Sequence, residues 1–230
     1  MKAVILAGGL GTRLKEFTEV IPKPLLPMGE KSLMELQIIS LKENGFNDIY
    51  VATNYKADYV EAFLGDGKKY GVKLHFSKED KPLGTCGPLS LLKKELDEPF
   101  ILMNGDILTK LNFKKFYNFG IKTKSNLIIG TKIITTPFRF GNVKTDKNNY
   151  IQSIEEKPEL KFEILAGIYL FKPEIFKFIP NDTYYGIDTL IKDMLQKKQK
   201  ISKYLIEEYW LDIGQIEDYR KARKEVVKIF

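Results

Sequence analysis

The stretch that decides the fold is MKAVILAGGLGTRL, residues 1–14, followed after a short gap by IPKPLLP, residues 21–27. Its apolar run at residues 3–6 predicts a buried β-strand. The strand leads into a loop that contains three glycines, Gly8, Gly9 and Gly11. Residues without a Cβ atom let backbone N–H groups approach an anion closely, and N–H groups that point the same way bind phosphate. The stretch therefore predicts a strand followed by a phosphate-binding loop.

Two cations follow this loop in the sequence. Arg13 lies shortly after Gly11, and Lys23 stands between Pro22 and Pro24. A guanidinium group binds phosphate oxygens in a bidentate fashion, whereas an ammonium group acts as a point charge. A strand, a glycine loop and two cations together indicate a nucleoside triphosphate site. The alternative for each cation is a solvated surface side chain.

The loop matches neither of the two common nucleotide-binding templates. A Walker A loop ends in Gly-Lys-Ser/Thr, whereas Gly11 is followed by Thr12 and Arg13. The dinucleotide fingerprint requires a small residue at the position of Leu14. The prolines around Lys23 also prevent a long helix from starting at the loop. We therefore expect the phosphates to be bound by backbone N–H groups and side-chain cations.

The composition is that of an ordinary globular protein, with 230 residues of which 43% are hydrophobic, enough for a well-buried α/β domain. No apolar run approaches the length of a membrane span, and the beginning lacks the features of a secretory signal. The single cysteine, Cys86, excludes an intrachain disulfide. We therefore expect a cytoplasmic protein that does not associate with membranes.

The net charge is +7 and is carried mostly by lysine. Nucleic-acid binding is one explanation of such an excess, and it predicts a clustered basic face with exposed aromatic side chains. The lysines are instead spread along the chain and mixed with acidic residues. We therefore expect phosphorylated small molecules as partners and no nucleic acid.

The first half of the chain alternates predicted strands and helices. The strands are expected at residues 3–6, 49–53, 72–76 and 100–103, and the helices at 32–45, 58–64 and 89–96, the first of them opened by a Ser32 capping box. This alternation predicts an α/β fold with a Rossmann-like mixed, mostly parallel sheet flanked by helices. Ligands bind such sheets beyond the carboxyl ends of the strands, where both the glycine loop and Asp106 fall.

The second half has a different character. Strands are predicted at residues 126–134, 141–144, 151–155 and 164–171, with helices at 187–196 and from Ile216 onwards. No linker, internal repeat or low-complexity segment separates the two halves. We therefore expect a single domain over residues 1–230, in which the second half continues the first.

The glycine loop at residues 6–14 and the Pro-Lys-Pro segment at 22–24 resemble the beginning of the sugar-1-phosphate nucleotidyltransferases, also called nucleotide-sugar pyrophosphorylases. Further segments are similar to later motifs of that family and follow the same order, at residues 83–89, 104–106, 140–141, 155–158, 166–169 and 210–214. The resemblance implies the fold of the nucleotide-diphospho-sugar transferases. It also implies a nucleotide-binding half at about residues 1–125 and a sugar-binding half at about residues 126–230.

The resemblance implies functions for individual residues as well. The nucleotide would be bound by Leu6, Ala7, Gly8, Gly9, Gly11, Thr12, Arg13, Gly84, Thr85 and Gly87. The sugar phosphate would be bound by Gly105, Gly141, Glu156, Lys157 and Gly167. The cofactor Mg²⁺ would be held by Asp106 and Asp212. The catalytic residues would be Arg13, Lys23, Asp106 and Asp212.

The implied reaction is an in-line displacement, in which an oxygen of the sugar 1-phosphate attacks the α-phosphorus of the triphosphate and pyrophosphate leaves. The second pKa of a phosphate monoester is about 6, so the nucleophile needs no protein base, and we interpret the single histidine, His75, as structural. The protein must provide charge neutralisation and alignment. The alternatives without function are a turn residue at Asp106, a cap at Asp212 and an exposed strand end at Glu156 and Lys157.

The nucleobase and the sugar are less well defined. Residues 84–89, Gly-Thr-Cys-Gly-Pro-Leu, are most similar to guanylyltransferases of the mannose-1-phosphate type, which favours GTP over dTTP, UTP or CTP. Leu165 departs from the asparagine that is common in relatives, and a hexose, an amino sugar and a heptose all stay open. A non-catalytic subunit of the same fold is the alternative from another class, although such members typically lose the carboxylates or the loop arginine that this chain keeps. A homo-oligomer also stays open.

Overall fold

The computed structural model describes residues 1–9 and 11–229. The strands of this part are β1 Lys2–Leu6, β2 Pro27–Met28, β3 Lys31–Ser32, β4 Asp48–Thr53, β5 Lys73–Lys78, β6 Phe100–Asn104, β7 Ile107–Thr109, β8 Leu127–Pro137, β9 Asn142–Thr145, β10 Ile151–Glu155, β11 Glu159–Phe171, β12 Ile201–Leu205 and β13 Trp210–Asp212. The α-helices are α1 Lys15–Thr18, α2 Leu33–Glu43, α3 Ala57–Leu64, α4 Phe113–Lys122, α5 Ile187–Gln196 and α6 Ile216–Ile229. Short 3₁₀ helices lie at Thr12–Leu14, Lys23–Leu25, Lys68–Tyr70, Gly87–Leu92 and Pro173–Lys177.

Seven strands form one sheet in the order β12-β8-β11-β6-β1-β4-β5. Four of the strand pairs are parallel, and β11 is antiparallel to both of its neighbours. The prediction of a mixed, mostly parallel sheet is therefore confirmed. Strand β1 is central, with Leu6 opposite Ala52 of β4 and Asn104 of β6. The ends of these three strands thus meet at one edge of the sheet.

Helices cover both faces of the sheet. Successive side chains of a strand point to opposite faces, so the apolar side chains of β1 are buried on both. Val4 of β1 belongs to a buried cluster that includes Leu190 of α5. Ile5 belongs to a second cluster, which includes Ile38 of α2 and Phe116 of α4. Strand β1 is therefore fixed between two helical layers, and the loop that follows it starts from a rigid base. In the part of the chain described, no helix has both the length and the apolar character needed to cross a membrane.

Besides the short β2–β3 pair, two other two-stranded β structures of the described residues lie outside the main sheet. In the first, β13 pairs antiparallel with β7, and Asp212 lies opposite Ile107. The second is the hairpin of β9 and β10, most of whose residues are exposed. It follows an extension of β8 and β11 beyond the core, where the residues of both strands become mostly exposed. The later half of the chain therefore provides both a short ribbon beside β6 and a long exposed arm.

The structure contains elements that the sequence pattern misses, namely β7, β12, β13 and α4. The three strands have between three and five residues each, which is too short for a clear hydrophobic period. Helix α4 begins with an N-cap, because the Asn112 side chain accepts a hydrogen bond from the Lys115 N–H. It buries Phe113 and Phe116.

The helix expected at residues 89–96 is wrong in type and extent. A 3₁₀ helix, Gly87–Leu92, stands in its place. Leu89 and Leu92 are buried, while Leu91 is exposed. The two buried leucines are three residues apart, a spacing that places them on one side of a 3₁₀ helix.

The capping box at the start of α2 is expected to contribute measurably to stability. The Ser32 hydroxyl accepts a hydrogen bond from the Glu35 N–H at 3.3 Å, and the Glu35 carboxylate accepts one from the Ser32 N–H at 2.7 Å. Replacing Ser32→Ala should lower the free energy of unfolding by about 1 kcal/mol, as measured by urea denaturation. The control Ser153→Ala, on the exposed strand β10, should change it by less than about 0.5 kcal/mol. Equal effects of the two variants would contradict the contribution of the cap.

Candidate active site

A cavity of about 430 Å³ opens where β1, β4 and β6 end. Its volume lies in the range of small-molecule sites. The predicted nucleotide-binding residues that line it are Leu6, Ala7, Gly8, Gly9, Gly11, Gly84 and Thr85. Lys23, Gly105 and Asp106 line it as well. Two glycine segments that are some seventy residues apart in the sequence are therefore brought to the same cavity.

The glycine loop is held in shape by Thr18. The Thr18 hydroxyl donates a hydrogen bond to the Gly11 carbonyl at 2.9 Å, and the Leu14 N–H donates to the same oxygen at 2.9 Å. Gly11 has a φ of 64°, in the left-handed region that favours glycine. A Cβ atom at Gly11 would lie 2.8 Å from Cγ2 of Thr18. The loop therefore requires glycine at this position for both its conformation and its packing.

Gly105 connects the ends of β1 and β6. Its N–H donates a hydrogen bond to the Leu6 carbonyl at 2.8 Å. A Cβ atom at Gly105 would collide with that same oxygen, so no larger residue fits without moving the backbone. The presence of glycine at position 105 therefore has a local structural explanation. It allows the glycine loop and the Asp106 turn to start from strand ends that are in contact.

Asp106 and Asp212 are brought together by the β7–β13 ribbon. Asp212 lies opposite Ile107, and the Ile213 N–H donates a hydrogen bond to the Asp106 carbonyl at 2.9 Å. Lys23 reaches the same place, with its ammonium Nζ 2.6 Å from Oδ2 of Asp106. Two acidic residues that are distant in the sequence and one of the two predicted phosphate-binding cations thus converge beside the cavity.

The two carboxylates repel each other. Partial burial and the negative charge of Asp106 raise the pKa of Asp212 to about 6, with a smaller contribution from Asp218, while Lys23 and Arg13 oppose the shift. A site in which the ionised form of Asp212 is disfavoured is suited to a cation, which would stabilise that charge. Within residues 1–9 and 11–229, no set of three or more His, Cys, Asp or Glu side chains is arranged to hold a metal ion. A cation here would need further oxygen ligands from phosphate or water, as Mg²⁺ commonly has.

Arg13 lies beside Asp212 but does not line the cavity. It belongs to the 3₁₀ helix Thr12–Leu14, in which Thr12 and Arg13 are exposed and Leu14 is buried. The predicted residue Thr12 also lies outside the lining. A Cβ atom on Gly214 would lie 3.7 Å from Nη1 of Arg13 and 3.6 Å from Oδ1 of Asp212, so both groups lie close to Gly214.

The second glycine segment is anchored to the chain that leads into α5. The N–H groups of Cys86 and Gly87 both donate to the Tyr185 carbonyl, at 2.9 and 3.0 Å, and the Thr85 hydroxyl accepts from the Ile187 N–H at 2.8 Å. Gly84 has a φ of 80°. Gly87 is buried by this packing and does not line the cavity.

Cys86 is fully buried behind this segment, and burial raises the pKa of its thiol. A thiol of this kind is not reactive, which agrees with the interpretation of Cys86 as a small core residue. His75 lies on the edge strand β5 and stacks on Tyr50, with its Nε2 3.6 Å from Oδ1 of Asp48. Its side chain therefore has structural neighbours outside the cavity.

The predicted sugar-phosphate residues are spread over three places. Gly105 lines the cavity, and Gly167 is buried next to Asn104 with a φ of 68°. Gly141 and Glu156 come together at the exposed β9–β10 hairpin, where a Cβ atom on Gly141 would lie 2.9 Å from Oε2 of Glu156. Lys157 follows with a φ of 46° and is exposed. The hairpin residues Gly141, Glu156 and Lys157 do not line the cavity.

The cavity also contains polar residues that the sequence analysis misses, of which Glu79 is the most informative. Its Oε2 accepts a hydrogen bond from the Leu83 N–H at 2.8 Å. Its Oε1 lies 3.1 Å from the position of a Cβ atom on Gly8, and burial raises the pKa of the carboxyl group. The other missed lining residues are Pro24, Asn54, Pro82, Asn104 and Tyr184. Pro24 and Asn104 stand in the segments 22–24 and 104–106 but were given no binding role, whereas no motif marks Asn54, Pro82 and Tyr184. Asn54 and Glu79 directly follow β4 and β5, and this position was a usable signal.

Two lysines hold the segments on either side of the site through backbone carbonyls. Lys56 donates to the carbonyls of Thr18, Glu19 and Val20, at 3.5, 2.5 and 3.0 Å. These residues precede Lys23. Lys132 donates in the same way to the carbonyls of residues 206, 207 and 208, at 3.0, 3.2 and 2.8 Å, immediately before β13. Each ammonium group thus ties down a segment that leads to a charged residue of the site.

The chain is similar to known proteins over almost its whole length. The family model described as "Nucleotidyl transferase" matches residues 2–229. The chain is 35% identical over 225 residues to the mannose-1-phosphate guanylyltransferase catalytic subunit beta of Drosophila melanogaster, covering 95% of this chain and 60% of that protein. It also matches a UTP--glucose-1-phosphate uridylyltransferase of Synechocystis sp. at 31% identity, covering 63% of that protein. The chain therefore spans about three-fifths of the length of these two relatives.

Other matches extend over the whole length of both proteins. The D-glycero-alpha-D-manno-heptose 1-phosphate guanylyltransferase of Aneurinibacillus thermoaerophilus is 31% identical, with 98% of each chain covered. The crystal structure of HddC from Yersinia pseudotuberculosis complexed with GMP-PN superposes with a TM-score of 0.75 at 31% identity, covering 97% of this chain and 98% of that one.

The raised pKa of Asp212 predicts a pH-dependent stability. Because the folded-state pKa is about 6 against an ordinary 3.8, the folded protein binds more protons than the unfolded chain between these pH values, and stability falls as the pH rises through that window. The substitution Asp212→Asn removes the loss of stability that accompanies ionisation of Asp212. At pH 7 the variant should be more stable than the parent by on the order of 1 kcal/mol, since solvent screens a partly exposed carboxylate.

Urea denaturation at pH 5 and at pH 7 measures this effect, and the gain of the Asp212→Asn variant should be larger at pH 7. The exposed Asp80→Asn variant serves as the control for removal of a carboxylate in general. A gain that is the same at both pH values, or that Asp80→Asn reproduces, would contradict the repulsion between the two carboxylates.

Proposed function

The chain belongs to the nucleotidyl transferase family, and on this premise we propose that it joins a nucleoside triphosphate, preferably GTP, to a sugar 1-phosphate. The products are a nucleoside-diphosphate sugar and pyrophosphate. The observation that carries the proposal is the convergence of Asp106, Asp212 and Lys23 beside a cavity of about 430 Å³ at the carboxyl ends of parallel strands.

The nucleotide would occupy the first half of the domain, about residues 1–125. The bare backbone of Gly8, Gly9 and Gly11 lies on one side of the cavity, and Gly84 and Thr85 lie on another. We assign the triphosphate to the first glycine loop and the base to the second segment. In this placement Lys23 lies near the α-phosphate, and Arg13, next to Asp212, faces the β- and γ-phosphates that leave as pyrophosphate.

The residues present fit a divalent cation with hard oxygen ligands. Asp106 and Asp212 offer carboxylate oxygens, and burial together with the charge of Asp106 disfavours the ionised form of Asp212, which a cation would stabilise. We propose Mg²⁺ as the cofactor, held by these two side chains. When bound, it would neutralise phosphate oxygens and so lower the repulsion between the two anionic substrates.

The remaining chemistry consists of positioning and charge stabilisation by the protein's own residues. The sugar 1-phosphate is already mostly a dianion at neutral pH and needs no proton acceptor, which agrees with a cavity lined by no histidine among the described residues. The ammonium of Lys23 and the guanidinium of Arg13 would stabilise the negative charge that builds up on the phosphate oxygens. Lys23 is held ready for this by its 2.6 Å ion pair with Asp106.

Glu79 favours guanine over uracil and thymine. Its Oε2 accepts a hydrogen bond from the Leu83 N–H, and its carboxylate therefore presents only a hydrogen-bond acceptor to the cavity. Guanine presents two adjacent donors, N1–H and the 2-amino group, which suit a carboxylate. Uracil and thymine present one N–H between two carbonyl oxygens, and those oxygens would be repelled. Relatives named as guanylyltransferases, and a structure that holds GMP-PN, support the same choice.

The sugar phosphate would be bound by the later half, about residues 126–230. We assign it to the β9–β10 hairpin, where the Glu156 carboxylate covers Gly141, together with Lys157 and the backbone of Gly105 and Gly167. Glu156 would accept hydrogen bonds from sugar hydroxyls, and Lys157 would bind the phosphate. Since both substrates are charged metabolites, we place the reaction in the cytoplasm, with small molecules as partners.

The proposal is tested by a screen for pyrophosphate release. GTP, dTTP, UTP and CTP are each combined with a panel of hexose, amino-sugar and heptose 1-phosphates in the presence of Mg²⁺. Turnover should be fastest with GTP. No pyrophosphate from any pair would overturn the proposed reaction, and faster turnover with another triphosphate would overturn the choice of base.

Removal of the Asp106 charge should abolish most of the activity. Asp106→Asn should reduce turnover by roughly 10²- to 10³-fold, because a charged ligand of the cation and the partner of Lys23 are lost together. The control is Asp97→Asn, which also removes a carboxylate paired with a lysine, at 2.5 Å from Lys2 and away from the cavity. Circular dichroism should show both variants folded. Near-normal turnover of Asp106→Asn would remove this residue from the site.

Exchange of the Glu79 carboxylate for an amide should change the preference for the base. In Glu79→Gln the amide oxygen would keep the hydrogen bond from the Leu83 N–H, and the amide nitrogen would become a donor towards the cavity. The ratio of kcat/KM for GTP to that for UTP or dTTP should fall by about 10- to 100-fold. The neighbouring exposed residue, changed as Asp80→Asn, should leave the ratio unchanged. An unaltered ratio in Glu79→Gln would show that Glu79 does not read the base.

A further inference from the structure

Gln37 makes unusual contacts for a residue inside an amphipathic helix. It lies on α2 and is 3% exposed. Its amide nitrogen donates hydrogen bonds to two backbone carbonyls, those of Asn104 at 3.1 Å and Ile107 at 2.7 Å. Since both partners are acceptors, the orientation of the amide is unambiguous. The two carbonyls flank Gly105 and Asp106, so one side chain bridges the turn that carries the acidic residue.

The turn needs such a bridge because the chain changes direction there. Strand β6 ends at Asn104 and β7 begins at Ile107. The Gly105 N–H is already bonded to Leu6, which fixes the turn from the side of β1. Gln37 fixes it from the side of α2. The backbone on both sides of Asp106 is therefore held by groups from two different elements.

The amide has a cost that core packing alone does not explain. Its oxygen Oε1 is buried and has no hydrogen-bond partner. The adjacent void, lined by Gln37, Ser40 and Thr109 among others, has a volume of only about 10 Å³, at the lower limit for a single water molecule. A leucine would fill this place without a buried amide oxygen, but it would leave the carbonyls of Asn104 and Ile107 without the donor that Gln37 provides. The two bonds to the turn are what a leucine would lack.

We propose that Gln37 is a positioning residue for Asp106: by holding the carbonyls on both sides of the turn, it directs the Asp106 carboxylate towards Lys23 and Asp212. This inference rests on the proposed function, because it assigns a purpose to the direction of that carboxylate. It adds to the site a residue that touches neither substrate nor metal and lies within the core.

The test uses Gln37→Leu, with Leu41→Ala as the matched control. Leu41 lies one turn further along the same helix, is fully buried and makes only core contacts, so its truncation reports the effect of destabilisation alone. Positioning residues of this kind typically change metal affinity or activity by about 10- to 100-fold. Gln37→Leu should therefore lower kcat by this factor and raise the Mg²⁺ concentration needed for half-maximal activity. Leu41→Ala should lower the Tm without shifting that concentration.

A second variant tests the donated hydrogen bond itself, with kcat expressed per folded protein as determined by circular dichroism. In Gln37→Glu, a deprotonated carboxylate would face two carbonyl oxygens, whereas the protonated form would offer one O–H donor to the turn. The kcat of this variant, as a fraction of the parent kcat, should rise as the pH falls from 8 to 6. A fraction that does not change with pH would contradict the role of the donated hydrogen bond.

Binding of Mn²⁺ alone, followed by electron paramagnetic resonance, separates this inference from the proposed reaction. If the parent protein turns over no substrate pair but Gln37→Leu binds Mn²⁺ about tenfold more weakly than the parent and Leu41→Ala do, the reaction is wrong and the positioning role stands. If Gln37→Leu and Leu41→Ala match each other in Mn²⁺ affinity and in activity, Gln37 has only a structural role and the inference is overturned.

Discussion

The repulsion between Asp106 and Asp212 is the constraint on which the arrangement of the site depends. Two carboxylates stay close only if the backbone holds them there, and the β7–β13 ribbon does so through pairing and the bond between the Ile213 N–H and the Asp106 carbonyl. The pKa of Asp212 is raised to about 6 by burial and, next, by the charge of Asp106. The fold is therefore somewhat less stable than it would be without this pair of carboxylates, but it holds them where a cation can bind.

The repulsion between the two carboxylates is opposed mainly by contacts that fix the backbone, and less by contacts among the side chains of the site. The central strand β1 is packed on both faces, and Gly105 couples its end to β6. Lys56 and Lys132 each bind three consecutive carbonyl groups and so fix the segments that lead to Lys23 and to β13. A frame of this kind keeps charged groups in place, and the ion pair between Lys23 and Asp106 adds to it.

The sequence predicts the parts of the site that are local and misses those that depend on distant contacts. The glycine loop, the end of β6 at Asp106 and the Ser32 cap are written in consecutive residues, and the structure contains all of them. Asp212 was identified through its resemblance to a family motif, since β13 is only three residues long. Gln37 and Glu79 carry no local signal: Gln37 looks like an ordinary polar residue of α2, and its partners are 67 and 70 positions away. The role of Glu79 becomes visible only in the folded structure, where Gly8 and Leu83 lie beside it.

The anchoring of the second glycine segment has a mechanical consequence. Tyr185 exchanges backbone hydrogen bonds with Leu83, Cys86 and Gly87, so this segment is fastened to the chain entering α5 and not only to the strands that precede it. This segment and the first glycine loop both line the cavity. The spacing between these two walls therefore depends on how the chain before α5 packs against the sheet, as well as on β1.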